Sequence, residues 1–180
     1  MKIAILALQG AFEEHQQMLH SIGVDTFLVR NLNDWQEEKD GLILPGGEST
    51  AMMRIMNDEG LFEPLRSAIT SGLPVFGTCA GLILLDNLHL NTMNIEAKRN
   101  AYGRQLGSFH CLSEFDGLGV VPMTFIRAPY IAKAGEGVSV LATVNGNIVA
   151  ARQENQLVTA FHPELDTDTK IHEMFVNMCR

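Results

Sequence analysis

Apolar positions in the first half of the chain come in short unbroken runs, and between the runs the spacing switches to that of amphipathic helices. Ile3 to Leu8 is one such run, bounded by Gly10. A continuous apolar stretch of this length suits a strand buried on both faces, as in a parallel sheet. Phe12, Met18, Leu19 and Ile22 then fall near helical spacing among Glu13, Glu14, His15, Gln16 and Gln17, with Gly23 as the stop. Val24 to Val29 reads as a second strand and Gly41 to Pro45 as a third. Gly46-Gly47 follows, then a helix through Met56 that the hydroxyls of Ser49 and Thr50 are expected to cap. Leu61 to Ile69 supplies another helix, closed at Ser71-Gly72, and Leu73 to Gly77 a fourth strand, with Pro74 tolerated near its start.

Strands alternating with helices at this spacing predict an α/β fold whose parallel strands are joined by right-handed crossovers. Past Leu90 the pattern changes to short strands at Gly119 to Ile126, Val138 to Val144, Asn147 to Ala151 and Leu157 to Phe161, with Asn145-Gly146 as a hairpin turn. A last helix is expected to present Ile171, Met174, Phe175 and Met178 on one face. No repeat or linker divides the chain, so residues 1–180 read as one domain.

Composition narrows the function classes. At 180 residues, 46% hydrophobic and 19% charged, the chain fills one core. Its net charge of −8 disfavours a nucleic-acid partner, which would require a basic field. The apolar start is cut off at Gln9-Gly10, well short of a membrane span, and no signal-peptide pattern follows. Cys79, Cys111 and Cys179 form no CxxC pair, which fits a reduced, cytoplasmic setting; the ordinary reading of each is a small buried apolar residue. His110-Cys111 lacks metal-ligand spacing and no Gly-Lys-Ser/Thr follows Gly46-Gly47, so neither a metal nor a cofactor is expected.

Ligands of open α/β sheets bind at the carboxyl ends of the parallel strands. Two turns there carry chemistry. Gly77-Thr78-Cys79-Ala80-Gly81 lies between an apolar strand and an apolar helix and is a cysteine version of the nucleophile elbow, or else a buried Cys in a strand-to-helix turn. Gly77 and Gly81 are expected to supply the freedom for the sharp bend, the helix dipole favours the thiolate, and the N–H of Ala80 would face an oxyanion. The paired glycines of Pro45-Gly46-Gly47-Glu48-Ser49 form either a small anion-binding nest or a tight turn needing positive φ.

Of the six histidines, position singles out His162, at the end of the run Leu157 to Phe161. Side chains two apart in an extended stretch share a face, so Glu164 can hold the imidazole in the tautomer that accepts a thiol proton. His-Pro-Glu alone reads rather as an ordinary turn, and it is the pairing with Cys79 that favours the catalytic reading. His15, His20 and His172 lie on predicted helices among polar neighbours and read as solvated surface; His89 and His110 carry no partner signature.

Gly77 to Gly81 together with Phe161-His162-Pro163-Glu164 resembles the class I, triad-type glutamine amidotransferases. Within that group Leu8-Gln9-Gly10, Leu44 to Thr50, Arg99 to Gln105 and Phe125 to Pro129 resemble the glutaminase subunits of pyridoxal 5′-phosphate synthase, nearly end to end. The resemblance implies a flavodoxin-like, mainly parallel sheet flanked by helices, with added antiparallel strands. It implies hydrolysis of L-glutamine to L-glutamate and ammonia, the ammonia passing to a synthase subunit. Carried over by position, Cys79 is the nucleophile, His162 the acid/base and Glu164 its orienting carboxylate. Gly47 and Ala80 offer oxyanion N–H groups, and Gly47, Glu48, Ser49, Arg99, Ile126 and Arg127 bind glutamine. The resemblance also implies activity only when docked, with the oxyanion hole near Gly46-Gly47 completed on binding. Relatives have a longer segment where this chain runs from Leu85 to Met93. Two rival readings are the glutaminase of imidazole glycerol phosphate synthase, which Arg99 to Gln105 disfavours, and a non-catalytic binding module, which the intact Cys79, His162 and Glu164 disfavour.

Overall fold

The computed structural model describes residues 1–99 and 108–180. Four strands, buried along almost their whole length, form the parallel heart of a sheet: β1 (Lys2–Leu6), β3 (Gly41–Leu44), β4 (Val75–Thr78) and β11 (Gln156–Thr159). With β2 (Asp25–Val29) at one edge, the parallel order is β2-β1-β3-β4-β11. The sheet continues antiparallel through β10 (Asn147–Gln153), β8 (Tyr130–Ala134) and β5 (Ile95–Lys98), with β9 (Ser139–Val144) paired to β10. A separate antiparallel pair, β6 (Ser108–Phe115) with β7 (Gly119–Ile126), lies off the main sheet. The expected hairpin turn joins β9 to β10, and Asn145 and Gly146 both take positive φ there, as a type I′ turn requires.

Among the described residues the helices are α1 (Phe12–Ser21), α2 (Leu32–Trp35), α3 (Ser49–Asp58), α4 (Phe62–Thr70), α5 (Ala80–Leu85) and α6 (Lys170–Met178), with a 3₁₀ turn at Pro163–Leu165. Among the described residues, no helix is long and apolar enough to cross a membrane.

Several local expectations are corrected. The cap of α3 is the Glu48 carboxylate, which accepts from the Ala51 N–H at 2.9 Å, in place of the Ser49 or Thr50 hydroxyl. The short helix α2, capped by Asn31, and strands β5, β6 and β8 were not anticipated. The buried face of α6 is Ile171, His172, Phe175 and Val176, whereas Met174 and Met178 are half-buried. His15 and His172, expected at the surface, are both fully buried. The helical period explains this, because His15 lies three and four residues before Met18 and Leu19 and so shares their face.

Candidate active site

Sheet register brings the chemistry to one edge. Gly77 pairs with Leu44 on one side and Val158 on the other, and Thr78 pairs with Thr159. The residues that follow β3, β4 and β11 therefore emerge side by side: Gly46-Gly47, Cys79 and His162. Two backbone bonds fix Cys79 and His162, from Cys79 N–H to Thr159 O at 2.8 Å and from His162 N–H to Thr124 O at 2.8 Å.

Cys79 adopts φ 51° and ψ −104° immediately before α5. A positive φ at a non-glycine residue stores strain, and here it turns the thiol out of the strand line. Gly77 and Gly81 serve the elbow differently from expectation. Neither has a positive φ; a Cβ on Gly81 would run into the carbonyl of Leu44, and one on Gly77 into the carbonyl of Gly81. They are small so that helix and strands can approach, while the bend itself sits on Cys79.

The same holds for Gly46-Gly47, where neither φ is positive. A Cβ on Gly46 would overlap the His162 ring and crowd Cys79, and one on Gly47 would overlap the Gln9 side chain. Gln9 fixes this turn by accepting from the Glu48 N–H at 2.6 Å. It stands at the carboxyl end of β1, so the strand-end rule that selected the other residues also points to it.

His162 is buried, and its Nδ1 lies 2.6 Å from Glu164 Oε1. With Nδ1 committed to the carboxylate, Nε2 is the nitrogen left for the sulfur. Burial alone would push the imidazole pKa down. The hydrogen bond with Cys79, the hydrogen bond with Glu164 and the negative charges of both outweigh it and raise His162 to about 10. The imidazole is thus protonated at neutral pH. The Cys79 Sγ lies 4.0 Å from the Ile126 carbonyl oxygen.

A cleft of about 420 Å³, in the range that takes a small molecule, opens on Cys79 and Ala80 and is also lined by Gln9, Gly47, Glu48, Ser49, Arg99 and Arg127. Ile126 lines an adjoining hollow of about 260 Å³ with His162, Gly46, Gly47, Arg127 and again Cys79. The residues nominated from sequence therefore converge around one thiol. Arg127 has φ 46°, a second strained residue at the rim. Arg99 Nη1 lies 3.2 Å from Thr50 Oγ1 and 4.0 Å from Glu48 Oε1. The rest of the motif, Asn100 to Gln105, lies outside the described residues. His89 and His110, which showed no partner in sequence, pair with Asp86 at 2.6 Å and Asp166 at 3.2 Å.

A mostly parallel sheet with a cysteine elbow at its carboxyl edge and a small antiparallel sheet beside it is the architecture of class I glutamine amidotransferases. A solved structure of a glutamine amidotransferase matches at TM-score 0.92 and 38% identity, over 98% of both chains. PurLQS from Thermotoga maritima shares the fold at TM-score 0.71 and 15% identity, over 99% of both chains. The chain belongs to the SNO glutamine amidotransferase family, which it matches over residues 5–180. It is 55% identical to the pyridoxal 5′-phosphate synthase subunit PdxT of Streptococcus pneumoniae strains JJA and Taiwan19F-14, over 100% of this chain and 98% of each relative. Those alignments span 190 positions against the 180 residues here, so the relatives carry residues that this chain lacks.

Proposed function

We propose that this chain is a single glutaminase domain that hydrolyses L-glutamine to L-glutamate and ammonia in the cytoplasm. It delivers the ammonia to the synthase subunit that makes pyridoxal 5′-phosphate. The observation that carries this reading is the convergence on the strained Cys79 of the His162–Glu164 pair, from the adjoining hollow, and of Arg99 and Arg127, from the cleft. Family membership and the printed name of the relatives point the same way.

The chemistry follows from the parts. His162 takes the proton from Cys79, and the thiolate attacks the carboxamide carbon of glutamine. Glu164 fixes the imidazole ring and offsets its charge. The oxyanion of the tetrahedral intermediate is received by backbone N–H groups of Ala80 and Gly47. Ala80 opens α5, where the first amides have no partner inside the helix. His162 then protonates the departing ammonia and, now neutral, takes a proton from the water that attacks the thioester. Arg99 and Arg127 suit the α-carboxylate of free glutamine through charge-assisted hydrogen bonds, and Glu48 and Ser49 with Gly47 and Ile126 complete the glutamine contacts.

No metal or cofactor is called for in any step. Free ammonia would be lost to water, so the reaction is useful only with a receiving subunit docked, and docking completes the oxyanion hole at Gly46-Gly47. Ammonia release from L-glutamine, measured with and without the synthase subunit, tests this. The expected result is release by the complex, little by the chain alone, and none by a folded Cys79→Ala complex. Release by Cys79→Ala, or full activity without the partner, would contradict it.

A further inference from the structure

The polar contacts of Glu164 do not end at His162. Its Oε1 is taken by His162 Nδ1, but Oε2 is buried and has no hydrogen-bond partner among the described residues. A buried carboxylate oxygen left bare is costly, and here one side chain is aimed at it. His15 Nε2 lies 3.6 Å from Oε2 and 3.1 Å from Thr78 Oγ1. On the other side of the ring, His15 Nδ1 lies 2.8 Å from His172 Nε2. Both histidines are fully buried, so this polar chain from α6 through α1 to the 3₁₀ turn is closed to solvent.

Tautomers follow from the acceptors. With Nε2–H, His15 donates to the Thr78 hydroxyl at 3.1 Å and turns a positive edge to the carboxylate oxygen at 3.6 Å, whereas a lone pair there would be repelled by it, so Nε2 carries the proton and Nδ1 accepts. His172 Nε2–H then donates to His15 Nδ1, and His172 Nδ1 is a bare acceptor. That nitrogen is indeed buried without a partner. The opposite assignment would bury an unpaired N–H at His172 and set a lone pair against Glu164, which is worse on both counts. Burial holds both rings well below the ordinary imidazole range, and for His15 the neighbouring His172 and His162 add to it, so both stay neutral. Neutrality matters here. A cation at His15 would compete with His162 for the carboxylate, whereas a neutral N–H orients Glu164 and leaves its charge for the imidazolium.

We propose that His15, its tautomer set by His172, is a positioning residue of the glutaminase, holding Glu164 through Oε2 so that Oε1 is presented to His162. The inference rests on the triad reading above. It extends the relay Cys79, His162, Glu164 by two residues that do not touch substrate. The groups facing His15 are His172 from α6, Glu164 from the 3₁₀ turn, His162 beside it and Thr78 from β4, with the Phe76 ring edge-on at 6.1 Å.

Two measurements test the proposal. The first assays glutamine-dependent ammonia release by the chain with its synthase subunit, for wild type, His15→Leu and His15→Gln, across pH. His15→Leu should lower kcat on the order of tenfold, the size of effect seen when an outer group that orients a functional side chain is removed, with the KM for glutamine unchanged. Its pH profile should also depart from that of wild type, because the carboxylate that faces the His162 ring loses the polar group opposite Oε2. His15→Gln, which can present an N–H, should recover most of the loss. A folded His15→Leu with wild-type kcat and pH profile would overturn the proposal, as would a His15→Gln no better than His15→Leu, since packing alone would then explain the site. The second is ¹⁵N NMR of histidine-labelled wild-type protein, which needs no variant to fold. His15 and His172 should both be neutral with the proton on Nε2; a proton on His15 Nδ1 would overturn the proposal. If the wild-type complex releases no ammonia, the glutaminase reading fails, and the NMR result still decides the hydrogen-bond chain.

Discussion

At the scale of single residues, the site is governed by where one proton rests. Burial opposes a charge on His162, yet contact with Cys79 and Glu164 raises it to about 10. In the proposed reaction, substrate binding falls to other groups. Arg127 stands on the cleft rim, and removing its guanidinium from a bound α-carboxylate costs roughly 1.5–3 kcal/mol. Arg127→Ala should therefore raise the KM for glutamine by roughly tenfold or more with a smaller change in kcat. Steady-state kinetics of the complex check this, and an unchanged KM would remove Arg127 from glutamine binding. Cys79, His162 and Glu164 were legible in the sequence because each follows a strand at a spacing that chemistry demands. His15 and His172 were not, because His15 stands between Glu14 and Gln16, and His172, though preceded by Ile171, is followed by Glu173. The information lay three and four residues away, in Met18 and Leu19 for His15 and in Phe175 and Val176 for His172.

At the scale of elements, what distinguishes this edge is how closely backbones approach. The strand β4 and helix α5 meet at the elbow only because Gly77 and Gly81 carry no side chain, and a methyl on Gly81 would press on the Leu44 carbonyl in the adjacent strand β3. Gly81→Ala should destabilise the fold by roughly 2 kcal/mol, a Tm loss of about 6 °C for a chain of this size. Thermal unfolding measures it, and an unshifted Tm would mean that the elbow has slack. The parallel half of the sheet was legible because strands buried on both faces are written as apolar runs: Ile3 to Leu6, Leu42 to Leu44, Val75-Phe76 and Leu157-Val158. The antiparallel half was read only in part. In β6 the side chains alternate between exposed and half-buried, as Ser108, His110, Leu112 and Glu114 face outward. Leu112 is among those outward residues and is 68% exposed, so the apolar pattern there does not follow burial. The strands β5 and β8 are short, and β5 ends at the last described residues before the Asn100 to Gln105 motif.

At the scale of the whole molecule, buried titratable groups set its pH limits. His15 and His172 are neutral inside the fold, while in the unfolded chain each takes up a proton below about 6.5. The unfolded state therefore binds more protons as pH falls, and stability drops from about pH 6.5 downward until His172 itself titrates at about 3. His162 acts in the opposite sense: its protonated form is favoured by folding, a contribution complete below about 6.5 and lost as pH rises through about 10. Denaturant unfolding between pH 4 and 7 should show a decline on the acid side that is smaller in His172→Phe; an identical decline in that variant would assign the loss elsewhere. The three cysteines give the sharpest test of the account as a whole. Cys79 faces the cleft, Cys111 lies on β6 and Cys179 follows α6, and burial pushes the thiols of Cys111 and Cys179 up, the latter to about 12. The complex should be treated with a glutamine analogue bearing an electrophile at the side-chain carbonyl, and the modified peptide identified by mass spectrometry. Labelling should fall on Cys79 alone, be suppressed by L-glutamine and abolish ammonia release in proportion; labelling of Cys111 or Cys179 with activity lost, or full activity with Cys79 modified, would contradict the central claim.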